Sequence, residues 1–178
     1  KGGDKHQSNS AWIAASPACA HLAWTRRLLP LLQAIRTHLP RVRRISSYCL
    51  PRNVRNKSVA ELQELREAGL SLVYVGAESG DDEVLRKVSK GETHESTRDA
   101  LDKLGAAGIT RSVMLLNGLG GQVLSAQHAA NSARLINATQ PEFLATLVVS
   151  FPQGEQRFRQ GFPEWEPRSE EHTSELQS

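Results

Sequence analysis

Apolar positions in this chain follow two rhythms. After Thr25, a residue able to cap a helix, Leu28, Leu29, Leu32, Ile35 and Leu39 recur at helical spacing and stop before Pro40. Pro30 falls in the second turn, where it removes a backbone donor and crowds the turn before it, so the pattern allows a start later than Thr25. Ser58-Val-Ala-Glu61 reads as a capping box opening a helix through Ala68, with Gly69 just past its end. Asp81 or Asp82 starts a short helix carrying Val84, Leu85 and Val88, and Thr93 caps a longer one through Leu104, stopping near Gly105 and Gly108. A further helix is expected from about Ser125 to Ile136. Between these segments lie runs of the second kind. Arg43–Cys49 is short, Leu70–Gly76 is almost continuously apolar, as in a strand buried on both faces, Ile109–Leu116 reads as another buried strand, and Phe143–Phe151 closes the series. In the first 24 residues apolar side chains are scattered with neither period, and no regular element is expected there.

Strands alternating with helices call for a parallel sheet joined by right-handed crossovers, an α/β architecture. Four strands are too few to close an eight-stranded barrel, which leaves a small open sheet or a fragment of a larger barrel.

Composition narrows the class. With 178 residues, 39% hydrophobic and 23% charged, the chain has the make-up of one soluble globular domain and not of a disordered or collagenous segment. Its two cysteines, Cys19 and Cys49, form no disulfide framework and no C-x-x-C pair, so a reducing, cytoplasmic compartment is expected. No apolar run approaches the roughly 18 residues of a membrane span, and the opening Lys1-Gly-Gly-Asp-Lys5 lacks the apolar stretch of a signal peptide. The last eleven residues, from Arg168, have no apolar period and resemble a translated sequencing adapter, so they are set apart as a non-native tail. Removing that tail's one Arg and three Glu moves the net charge from +3 to +5 (21 basic against 16 acidic). The expected organisation is 1–24 unassigned, 25–167 the folded domain and 168–178 the tail.

Candidate chemistry gathers where the strands end, because parallel sheets place ligands beyond the carboxyl ends of their strands. Glu78 and Ser79 follow the second strand, either to meet a ligand or to cap the helix that follows. Lys90 stands before Gly91 and the Thr93 cap. Asn117-Gly-Leu-Gly-Gly121 joins the third strand to a helix, where glycines let backbone approach a ligand, or simply make a tight turn. It is not a dinucleotide fingerprint, since Val123 stands where the third glycine belongs, and no Walker lysine follows. From Arg26 to Lys57 there are nine Arg or Lys and no Asp or Glu, a possible surface for phosphate or RNA, although Tyr48 is its one aromatic. His94 and His128 have no partners at ligand spacing, and neither is assigned a metal or catalytic role.

Taken together, Tyr74-Val-Gly-Ala-Glu-Ser-Gly80, the following Asp81-Asp-Glu-Val-Leu-Arg-Lys-Val-Ser-Lys-Gly-Glu-Thr93, Ala107-Gly-Ile109 and Leu116-Asn-Gly-Leu-Gly-Gly121 resemble the second half of a radical S-adenosylmethionine (SAM) enzyme core, over about Thr25 to Phe162. The resemblance implies an incomplete parallel (β/α) barrel, with the four strands as the third to sixth of a partial TIM barrel. It implies SAM and a [4Fe–4S] cluster as cofactors, and reductive cleavage of SAM to a 5′-deoxyadenosyl radical that abstracts hydrogen from a substrate the residues do not identify. It makes Glu78 and Ser79 contacts to the ribose or methionine part and Lys90 a partner of the SAM carboxylate in place of the family's usual Arg. Asn117, Gly118 and Gly120 would line the adenine side. The family's C-x-x-x-C-x-x-C loop is absent, and Cys19 and Cys49, 30 residues apart with no third thiol, do not replace it. The chain alone is therefore expected to be inactive. The competing expectation is a non-enzymatic α/β module that binds phosphate or RNA through the basic 26–57 segment.

Overall fold

The computed structural model describes residues 10–13, 25–151 and 154–167. Its elements run β1 (Ser10–Ile13), α1 (Thr25–His38), β2 (Arg44–Cys49), α2 (Pro51–Val54), α3 (Val59–Glu67), β3 (Leu70–Glu78), α4 (Asp82–Lys87), α5 (His94–Ala106), β4 (Thr110–Asn117), α6 (Ser125–Thr139), β5 (Phe143–Val148) and α7 (Gln156–Gly161). All four strand pairings are parallel, and the strand order is β1-β2-β3-β4-β5. A doubly wound sheet reverses its order at a switch point; this one grows in a single direction, as the arc of a barrel does. The α/β half-barrel expected from the sequence is the fold.

β3, in the middle of the sheet, turns one row of side chains outward to the helices and one row inward, while β5 is largely exposed. On β3, Val73, Val75 and Ala77 join the buried core with Leu32, Leu62, Leu65, Leu101, Leu104 and Leu135 from the surrounding helices. Tyr74, Gly76 and Glu78 alternate with them on the concave face. Burial of the outer row, at roughly 25 cal/mol per Å² of apolar surface, is the main force holding helices to sheet.

Local signals account for most boundaries. The Ser58 hydroxyl accepts from the Glu61 N–H at 3.2 Å and the Glu61 carboxylate accepts from the Ser58 N–H at 2.9 Å, so the capping box is formed. Ser58→Ala should lower stability by about 1 kcal/mol, read as a lower urea midpoint with unchanged slope. Asp81 is the cap of α4, its carboxylate accepting from Val84 N–H, and Thr93 caps α5 by accepting from Ser96 N–H.

Elsewhere tertiary structure overrides the local pattern. α1 starts at Thr25 and runs through Pro30, correcting the later start. Pro30 itself is exposed, while Leu28 and Leu32 are buried, so the apolar stripe outweighs the lost donor. Ser10–Ile13 pairs with Arg44–Ser47 as a fifth strand in a segment where none was expected. β3 continues two residues past Gly76 and takes in Glu78, while β5 ends at Val148 rather than Phe151. The adapter-like tail from Arg168 lies outside the described residues. Among the described residues no helix is long and apolar enough to cross a membrane.

Candidate functional site

The carboxyl end of β3 departs from regular pairing. Its register with β4 shifts between Gly76 and Glu78, Glu78 has φ +65°, and Ser79 N–H donates to the Ala77 carbonyl at 2.8 Å. Glu78 is thus the centre of a tight turn in a backbone region that a non-glycine residue keeps only when its surroundings hold it there. The turn folds the Glu78 carboxylate back over Gly76, where Lys90 meets it, Nζ to Oε1, at 2.8 Å. A Cβ on Gly76 would stand 2.7 Å from that Oε1, so the glycine makes room for the ion pair. The two side chains remain 23% and 14% exposed, enough to be reached from solvent. Beside them lies a cavity of about 260 Å³ whose walls include Tyr48, Tyr74, Gly76, Glu78 and Met114. The Tyr48 and Tyr74 rings lie 5.7 Å apart.

Ser79 is placed differently. It is fully buried; its hydroxyl accepts from Asp81 N–H at 2.9 Å and lies 2.8 Å from His128 Nδ1. The opposite ring nitrogen, His128 Nε2, faces the Leu116 carbonyl at 3.1 Å. A carbonyl only accepts, so Nε2 carries the hydrogen and Nδ1 accepts a hydrogen bond from the Ser79 hydroxyl. Burial pushes the His128 pKa down against the Leu116 bond, which favours this neutral form. Next to it, Gly80 N–H donates to Ser132 Oγ at 2.9 Å and Asn131 donates to Asp81. Asp81 is pushed up by burial, but the bonds from Val84 N–H and Asn131 outweigh this and hold its pKa below the usual value.

The turn after β4 also has its neighbours. Asn117 is exposed and its carbonyl accepts from Val149 N–H at 2.9 Å. Trp165 Nε1 donates to the Gly118 carbonyl at 3.0 Å. A Cβ on Gly120 would come 2.9 Å from the Leu124 carbonyl, and one on Gly121 2.8 Å from the Trp165 ring. The amides of Leu119, Gly121 and Gln122 donate to Leu116, Gly118 and Glu166. Much of this turn's backbone therefore serves protein packing. Glu78 and Lys90 are brought together, and the Asn117–Gly120 turn follows the adjacent strand.

His128, given no role from the sequence, joins these two regions. Its signal was present: on α6 the buried positions His128, Ser132, Leu135 and Thr139 form one helical face that is mostly polar, unusual for a core stripe. The basic stretch is partly absorbed. The buried Glu92 carboxylate accepts from Arg52 N–H at 2.9 Å and pairs with the Arg52 and Arg55 guanidinium groups at 3.3 and 3.4 Å. Lys57 is buried, and its pKa is lowered by that burial. Arg41, Arg43 and Arg44 remain exposed where β2 begins, at the opposite end of the sheet from the Glu78–Lys90 pair.

A [4Fe–4S] cluster does not fit the thiols present. Cys49 is buried, its Sγ lies 3.3 Å from the Leu50 carbonyl, and burial pushes its pKa up to about 12, the reverse of a thiolate ligand. Cys19 lies outside the described residues. Among the described residues no group of three or more His, Cys, Asp or Glu is placed to hold a metal ion.

Comparisons with known proteins show the family and the fold. The sequence model of the Radical SAM superfamily matches residues 25–133. The fold is similar to that of coproporphyrinogen III oxidase from Escherichia coli, a radical SAM enzyme, at 18% identity and TM-score 0.65, over 93% of this chain and 38% of that one. It is similar to methylornithine synthase at 17% identity and TM-score 0.60, over 79% and 39%. A third likeness is the radical SAM methyltransferase of Kitasatospora setae, solved with cobalamin and a [4Fe–4S] cluster, at 22% identity and TM-score 0.53, over 68% and 24%. The chain thus spans about two fifths or less of the length of these structures. No curated protein matches it.

Proposed function

The chain belongs to the radical SAM superfamily, and from that membership we propose that it is the part of a radical SAM core that holds SAM beside the half-barrel cavity. The family's chemistry is reductive cleavage of SAM to a carbon radical, which would require cluster thiolates other than Cys19 and Cys49. The observation that carries the reading is the Glu78–Lys90 pair at the carboxyl end of β3, solvent-reachable and beside the cavity. Lys90 Nζ offers a cation to the SAM carboxylate, and Glu78 offers acceptors to ribose hydroxyls or to the α-ammonium group. Each is held by the other until a ligand carrying both kinds of group replaces the contact. A paired, part-buried site of this sort is pre-organised for a zwitterion, since neither charge must be desolvated alone. Asn117 and the Gly118–Gly120 backbone, after the adjacent strand, would face the adenine end. Ser79 supports the site from behind through its hydroxyl bonds.

Calorimetric titration of the full chain with SAM tests the reading. Lys90→Ala should weaken binding about tenfold, the loss expected of one charge-assisted contact. Lys90→Arg should retain binding, because guanidinium also pairs with carboxylate. Failure of the chain to bind SAM, or equal affinity in Lys90→Ala, would overturn it.

A further inference from the structure

We infer that His128 is a positioning residue that couples the turn after β3 to the turn after β4, and so sets the spacing between the Glu78–Lys90 pair and the Asn117–Gly120 backbone. The consequence for SAM rests on the proposed function; the coupling itself rests on geometry alone.

Three residues of α6 at helical spacing reach the first turn. His128 Nδ1 meets Ser79 Oγ at 2.8 Å, Ser132 Oγ accepts from Gly80 N–H at 2.9 Å, and Asn131 donates to Asp81. These contacts bracket Glu78 from its C-terminal side and help hold its φ of +65°. Of the three, among the described residues, His128 is the one that also reaches the second turn. Its Nε2–H donates to the Leu116 carbonyl, and its Cβ would lie 3.2 Å from a Cβ on Gly120. One imidazole, with a donor on one side and an acceptor on the other, therefore spans from the end of β3 to the end of β4. The bond to Ser79 is buried and the bond to Leu116 part-buried, with His128 itself buried, so water competes weakly for either. A rigid ring of fixed width transmits a shift of one turn to the other, which two independent side chains would not do. The placement also explains why a buried histidine stands in an otherwise close-packed helix face.

Two substitutions separate the ring's halves. His128→Asn keeps an acceptor near the place of Nδ1 for the Ser79 hydroxyl and loses the donor to Leu116. His128→Gln keeps an amide donor near the place of Nε2 and loses the acceptor. Amide hydrogen exchange of the full chain reads the two turns separately. In His128→Asn, Leu119 and Gly121 should exchange faster and, because the ring no longer ties the turns together, Gly80 and Asp81 should follow in part; His128→Gln should show the reverse order, and His128→Ala should release both fully. If each conservative variant frees one turn and leaves the other at the parent's rate, or none alters exchange at either turn, the coupling is overturned. SAM titration of the same proteins then tests its consequence. His128→Ala should weaken binding about tenfold, a loss of hydrogen-bond size, with partial recovery in His128→Asn or His128→Gln. Unchanged SAM affinity in His128→Ala, alongside weakened binding in Lys90→Ala, would overturn the positioning role and leave the SAM site standing. Absence of SAM binding in every variant and in the parent would overturn the SAM site, while the exchange pattern would still decide the coupling.

Discussion

Arg111→Ala should destabilise the domain by about 3 kcal/mol, among the largest losses available to one substitution here. The guanidinium is buried, and Nη1 donates to the carbonyls of Leu101 and Thr139 at 3.2 and 3.0 Å. Nη2 donates to the Gln140 carbonyl at 3.1 Å and to Glu142 at 2.8 Å, and Nε to Glu142 at 3.2 Å. Arg111 thereby ties β4 to α5, to the end of α6 and to the residue just before β5. Alanine would strand the Thr139 and Gln140 carbonyls at the end of α6, where no further turn of helix supplies a donor, and burial without a partner is costly. Glu142 is partly exposed and can turn to water, which limits the loss to the lower end for a broken buried pair. Urea unfolding near neutral pH measures it, and a midpoint within error of the parent would refute the assignment. Acid adds a second readout. The bond from Arg111 is the main cause holding the Glu142 carboxyl at about 2 against an ordinary 4.5. A carboxyl with its pKa lowered on folding stabilises the fold above its unfolded pKa and loses that contribution as pH falls through the folded one. Part of the parent's stability should therefore disappear between pH 4.5 and about 2, and Glu142→Gln should flatten that portion of the curve.

Gly80→Ala should cost about 3 kcal/mol or more, the upper range for forcing an extra methyl into a packed contact. A Cβ at this position would stand 2.7 Å from Ser132 Cα and collide with the Asn131 carbonyl. Both obstacles are main chain of α6, which can yield only by moving the whole helix. The shift would also break the Gly80 N–H to Ser132 bond. Gly80→Ala should thus lower the unfolding midpoint and speed amide exchange at Asp81 together. A neutral result would mean that α6 does not press on this turn.

How much of the site was legible follows from where each signal resides. Ser58 and Thr93 were readable as caps, and Asp81 as one of two candidates beside Asp82, because a capping bond closes within three residues. The Gly76-x-Glu78-Ser79-Gly80 stretch marked the end of β3 by its residue types, yet nothing local indicated that Glu78 folds back onto Lys90, twelve residues on. The basic run read as one surface; in the fold Lys57 is buried, and Glu92 holds two of the arginines because a partner distant in sequence supplies the charge that the run itself lacks.

The sequence by itself determined the alternation of buried strands and amphipathic helices, their caps and the polar ends of β3 and β4, since period and capping act over a few residues. The tertiary structure decided what needs a neighbour. Ser10–Ile13 is a strand because β2 offers it an edge; four residues are too few to show a period. α1 continues through Pro30 because Leu28 and Leu32 find the core. His128 bridges two turns because β3, β4 and α6 converge there, and hydrogen bonds across 49 and 12 residues of chain exist only after the sheet has brought their ends together.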